Sequence, residues 1–75
     1  MQFEYTDHAE EKILERKLNR KTIESVVASP DKVVPTVFNR KIAQRKINKL
    51  LRVVYEEEHE VYIIVKAYYT EANRY

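Results

Sequence analysis

Two runs crowded with β-branched and aromatic residues, 50–56 and 61–69, stand on either side of an acidic turn, and together they predict a β-hairpin. Strand side chains alternate with period two, so the register of this hairpin decides which residues share a face. A three-residue turn at Glu58-His59-Glu60 puts Leu51, Val53 and Tyr55 on the same side as Val61, Ile63, Val65 and Ala67, and that side is wholly apolar. The other side then gathers Leu50, Arg52 and Val54 with Tyr62, Ile64, Lys66 and Tyr68, with Arg52 directly across from Lys66. Like charges facing each other across a strand pair are unfavourable, so this register invites an anion between them. A two-residue turn that set Arg52 opposite Val65 would weaken that expectation. Tyr55 and Tyr69 are expected in the core, whereas Tyr62, Tyr68 and the terminal Tyr75 are expected to be available for stacking.

The preceding segments complete an α+β pattern. Gln2 to Tyr5 alternates, with Phe3 and Tyr5 on one side, as in a short first strand. Asp7 and Glu10 have the spacing of a capping box, and the acids of the first turn and the bases Arg16 and Lys17 of the last agree with a helix dipole over 8–17. Leu18 and Ile23 flank Asn19 at staple spacing, and Ile23, Val26 and Val27 form one stripe of a second helix near 20–28 that Ser29-Pro30 stops. Residues 33–38 read as a second strand, confined by Pro35 to an edge or a strand end. Residues 41–49 fit a helical stripe through Ala43, Ile47, Leu50 and Leu51 as well as a strand, and strand is the favoured reading. The expected fold class is therefore α+β of order β-α-α-β-β-β-β, one domain over residues 1–75, with two N-terminal helices packed on one face of a twisted antiparallel sheet.

Charge carries the functional signal. From Lys32 to Tyr55 the chain has seven cations (Lys32, Arg40, Lys41, Arg45, Lys46, Lys49 and Arg52) and no acid, while the segments on either side are net acidic. The overall charge of +2 thus hides a dipolar molecule whose basic zone suits a polyanion. Lys41, Arg45 and Lys49 are equally suited to guarding a sheet edge against aggregation. With 75 residues and no cysteine, the chain has one small core, no disulfide framework and no thiolate metal site. The absence of glycine excludes the glycine-dependent nucleotide cradles, so no cofactor is expected. His8 and His59 lie far apart, so no metal is expected either. No signal-peptide pattern and no long apolar run occurs, which predicts a cytoplasmic protein without a membrane span.

The run Leu50-Leu51-Arg52-Val53-Val54-Tyr55, the acidic turn, Val61 to Val65 and the final Asn73-Arg74-Tyr75 resemble the C-terminal half of RelE/ParE-type toxins, small ribonucleases or gyrase poisons. The N-terminal half resembles the DUF4258 branch of that superfamily at His8-Ala9, Ile13, Glu15-Arg16 and Ser29-Pro30-Asp31, and Arg40 to Tyr75 is similar to BrnT toxins. The resemblance implies a RelE-like fold with a strand-borne arginine on the concave face. It also implies metal-independent RNA cleavage, in which the 2′-hydroxyl attacks the adjacent phosphate. This chain departs from the pattern in having no histidine on its last three strands and Thr70-Glu71-Ala72-Asn73 where basic residues precede the terminal tyrosine.

That reaction needs a proton acceptor, a group that steadies the extra charge on phosphorus and a proton donor to the leaving oxygen. Arg52 suits the second role, because its planar fork matches phosphate oxygens and stays charged. Lys66, Tyr75 and His8 are the candidates for moving protons, and a local hydrogen bond at the helix start is the simpler role for His8. Arg40, Lys41, Arg45, Lys46, Tyr62, Tyr68 and Arg74 complete a candidate RNA-binding set. Two other functions use the same basic face. One is a non-catalytic module that binds RNA or the ribosome. The other is a protein-interaction domain that seats an acidic, antitoxin-like partner.

Overall fold

The computed structural model describes residues 1–71, so Arg74 and Tyr75 lie outside the described residues. The elements are β1 (Gln2–Tyr5), α1 (Asp7–Glu15), α2 (Arg20–Ala28), β2 (Lys32–Pro35), β3 (Arg40–Ile47), β4 (Lys49–Glu58) and β5 (Val61–Thr70). The order is the expected one, and the ambiguous stretch at 41–49 is strand rather than helix. The sheet runs β1-β5-β4-β3-β2. Its last four strands pair antiparallel, but β1 pairs with β5 in parallel, so the sheet is mixed and not antiparallel throughout. Parallel pairing needs a crossover, and the two helices lie in the long connection that separates β1 from the other strands.

Helix ends follow local chemistry. The cap of α1 is Thr6 rather than Asp7: its backbone is extended and its hydroxyl accepts from the Ala9 amide at 3.0 Å, leaving Asp7 in the first turn with Glu10. The helix stops two residues before Lys17, which takes a φ of 54°. The Lys17 amide donates to the Leu14 carbonyl and the Leu18 amide to that of Ile13, the paired bonds of a Schellman ending, which hands Leu18 to the core. Asn19 caps α2 by accepting from the amides of Lys21 and Thr22. Beyond Pro30, Asp31 donates its amide to the Gln44 carbonyl and accepts from the Lys46 amide, continuing the edge of β3 past the short β2.

Both helices cover one face of the sheet. Ala9, Ile13, Ile23, Val26 and Val27 meet Ala43, Leu51, Val53, Tyr55, Ile64 and Ala67 in a single cluster, with Ile23, Val26 and Val53 fully buried. Tyr5 donates to the Glu24 carboxylate at 2.6 Å, tying β1 to α2. Burial, and then that hydrogen bond, pushes the Tyr5 phenol well above the usual tyrosine range. A phenol held neutral in the fold stabilises it below about pH 10 and ceases to do so as pH rises through the folded value. Alkaline unfolding of the wild type is therefore expected to be steeper than that of Tyr5→Phe, compared by urea titration between neutrality and high pH. Parallel pH profiles would refute this role. Each helix is nine residues long, and among the described residues no helix is long and apolar enough to cross a membrane.

The hairpin turns on two residues, not three. His59 and Glu60 both take positive φ, 49° and 67°, as a two-residue primed turn requires, and Glu58 faces Val61 across it. A register shift between Val54 and Tyr55 then carries the upper half one residue further, setting Val54 against Lys66 and Arg52 against Tyr68. The expected Arg52–Lys66 pairing is thereby corrected: the bulge interposes an aromatic ring between the two cations. A chain without glycine builds its turns at ordinary residues, and Lys17, Phe38, Asn39, Asn48, His59 and Glu60 all sit at positive φ. Replacing Glu60, the second turn residue, with glycine is expected to raise the urea midpoint at unchanged slope, a stabilisation of about 1 kcal/mol. A lower midpoint would mean that the Glu60 side chain stabilises the turn.

Candidate nucleic-acid interface

Strand alternation sorts the candidate residues onto two faces. Lys41 pairs with Tyr55 and Arg45 with Leu51, both core residues, so these two cations point to the helix-bearing side. Tyr62 lies there as well, its ring 5.6 Å from those of Phe3 and Tyr55, so it packs rather than waits for a ligand. Arg40, Lys46, Arg52, Lys66 and Tyr68 occupy the helix-free, open face, on which Gln44 and Leu50 are nonetheless buried. His8 is exposed in the first turn of α1, within the helical layer on the far side of the sheet from Arg52. The strands thus separate the basic set into two groups that one ligand on the open face cannot reach together.

On the open face a single row crosses four strands: Lys32 pairs with Gln44, Gln44 with Arg52, and Arg52 with Tyr68. The Arg52 guanidinium carbon lies 5.8 Å from the centre of the Tyr68 ring, and the Lys66 ammonium lies 5.3 Å from it. The ring's electron-rich face offsets part of the repulsion between the two cations. Arg52 Nε is shut off from water and makes no hydrogen bond, the one such side-chain atom among the described residues. An unmade bond at a charged donor is costly, on the order of 1–3 kcal/mol, and an incoming oxygen acceptor would remove that cost once the side chain turned outward.

Charge is unevenly spread along the strands. Toward the β4–β5 turn, Arg40 Nε meets the Glu56 carboxylate at 3.0 Å and Lys41 meets Glu57 at 3.6 Å, with Glu58 and Glu60 close by in sequence. Toward the opposite end, Arg45, Lys49, Arg52 and Lys66 make no ion pair among the described residues, and one acid, Asp31, stands next to Lys32 and accepts from the Lys46 amide. The positive field is therefore concentrated on the middle of the sheet and the end at Asn48. Among the described residues no three His, Asp or Glu side chains converge as metal ligands do.

Two features of this surface were missed in the sequence. Tyr69, expected in the core, is 42% exposed although its partner Leu51 is buried, because β1 pairs with β5 only from Val61 to Ile64 and leaves Tyr69 on a free sheet edge. The Arg16 guanidinium, at the end of α1, donates to the Ala67 carbonyl, and Tyr69 lies beyond that point. Asn48, the single residue on which β3 turns into β4, holds a φ of 63°. An asparagine between two strand-like runs was the available signal for that turn. No protein-family model, no curated protein and no solved structure matches the chain.

Proposed function

We propose that the chain is a RelE-like domain whose open sheet face binds RNA through its phosphates, with Arg52 as the central contact. One observation carries this reading: Arg52 and Lys66 share the ring of Tyr68, free of ion pairs among the described residues, with Arg52 Nε left unbonded. A bidentate, always-charged fork backed by an aromatic surface is suited to a phosphate diester. The fold-level part of the proposal draws on the element order and on an arginine borne by the middle strand of the sheet, away from the helices.

RNA cleavage is the second reading, favoured by Arg52 and Lys66 sharing the ring of Tyr68. In it the 2′-oxygen bonds to phosphorus as the bond to the 5′-oxygen breaks, leaving a 2′,3′-cyclic phosphate and a free 5′-hydroxyl. Arg52 would steady the negative charge, Lys66 would donate a proton to the leaving 5′-oxygen, and water would take the 2′-hydroxyl proton. His8 has no part in this scheme, since α1 lies on the other side of the sheet. An acidic, antitoxin-like protein partner would meet the same cations.

An amide-shift titration with a short single-stranded RNA at two salt concentrations, followed by end-group analysis of the RNA, tests the proposal. Salt-sensitive shifts centred on Arg52, Lys66 and Tyr68 are expected. Intact RNA identifies a binding module and cyclic-phosphate ends identify the nuclease. No shift at low salt would refute RNA binding.

A further inference from the structure

The positive end of the sheet holds a feature that the phosphate-binding row does not use. Ile47, Asn48, Lys49 and Tyr69 line a small cleft of about 260 Å³ at the rim where β3 turns into β4. One wall is the ring of Tyr69, left on a free sheet edge, and another is the partly buried side chain of Ile47. The Asn48 side chain at the mouth makes no hydrogen bond among the described residues. Lys49 lines the cleft, with Arg45 and Lys46 just before it in sequence, and Arg45 and Lys49 make no ion pair among the described residues, whereas the cleft at the opposite end of the strands contains Glu57 and Glu60 beside an already paired Arg40 and Lys41. An aromatic wall, an amide and unpaired cations form the set of groups that receives a nucleobase together with its flanking phosphates. The acidic end offers no such combination.

We infer that this rim cleft is a nucleobase subsite, in which an unpaired RNA base stacks on Tyr69 and meets the Asn48 amide at its edge, while Lys46 and Lys49 face the adjoining phosphates. The inference rests on the RNA-binding reading and extends it. Lys46 pairs with Leu50, two positions along β4 from Arg52, so a strand crossing the open face at Arg52 reaches the rim by one step along the sheet. There it turns over the edge at Asn48. Bases that remain paired cannot enter, which selects single-stranded RNA over duplex. Stacking also discriminates weakly among bases, because each has a π-face.

The test compares the wild type, Tyr69→Ala and Tyr69→Phe in fluorescence-anisotropy titrations, using a short single-stranded RNA and an abasic ribose-phosphate oligomer of the same charge. Tyr69→Ala is expected to weaken RNA binding on the order of tenfold with no change in salt slope, the size of one lost stacking contact. Tyr69→Phe keeps the ring and should retain wild-type affinity, and neither change should alter binding of the abasic oligomer. Tyr69→Ala binding RNA as tightly as the wild type would overturn the subsite and leave the Arg52 reading standing. An equal loss on the abasic oligomer would overturn it as well. No RNA binding by the wild type would overturn both. The melting temperature of each variant separates lost contacts from lost fold.

Discussion

Arg52→Ala is expected to weaken RNA binding at least tenfold and to lower the slope of log affinity against log salt by about one unit, the signature of one lost phosphate contact. The effect should be larger than for Lys32 or Lys46, because Arg52 lies on the central strand β4 and is backed by Tyr68, whereas those two stand nearer the sheet edge. Arg52→Lys separates charge from geometry. A lysine restores the salt slope, since it still displaces a counterion, but not the affinity, since it lacks the fork. Stability should move little in either variant. The Nε donor makes no hydrogen bond in the free protein, so removing it costs none, while the lost stem uncovers part of the Tyr68 ring. If cleavage occurs, Arg52→Ala should abolish it. RNA affinity and slope unchanged in Arg52→Ala would remove this residue from the site.

The largest stability effect is expected at Ile23. Its side chain is fully buried where α2 meets the sheet, among the members of the only core cluster of the described residues. Truncation to alanine removes three carbons from a packed site and leaves a cavity, at a cost of about 2–5 kcal/mol. A domain of this size has a total stability on the order of 4–11 kcal/mol, so the variant should lose a large share of it. Leu14→Ala is the matched control: Leu14 lies on α1 but is 82% exposed, and its truncation should change stability by less than about 0.5 kcal/mol. Urea melts of both variants decide the matter, and a loss below about 1 kcal/mol in Ile23→Ala would show that the helix–sheet interface relaxes to fill the gap.

Both expectations depend on which face of the sheet a residue occupies, and here the sequence was informative only in part. The faces of Leu51, Val53 and Tyr55 were legible, because the alternate positions of the same strand carry Arg52 and Glu56, which do not belong under the helices. The partner strand was not legible beyond its turn. A three-residue turn and a two-residue turn with a bulge both bury apolar side chains of β5, and they differ in whether Lys66 or Tyr68 meets Arg52. The same ambiguity misassigned Tyr62, which belongs to the helix-bearing side once Glu57 is its partner. Lys41 and Arg45 looked like companions of Arg52 because all three fall in one acid-free stretch, yet β3 turns alternate residues to opposite faces.

What the sequence alone determined is local: the strand character of β1, β4 and β5, the Asn19 cap, the stop at Pro30, the order of seven elements and the concentration of cations in the middle of the chain. Each follows from interactions among residues a few positions apart. Tertiary structure decided the parallel seat of β1 beside β5, the bulge that slides Tyr68 between Arg52 and Lys66, and the exposure of Tyr69 at an uncovered rim. These depend on contacts between residues distant in sequence, where alternatives of similar local energy are separated only by how the helices and strands pack together.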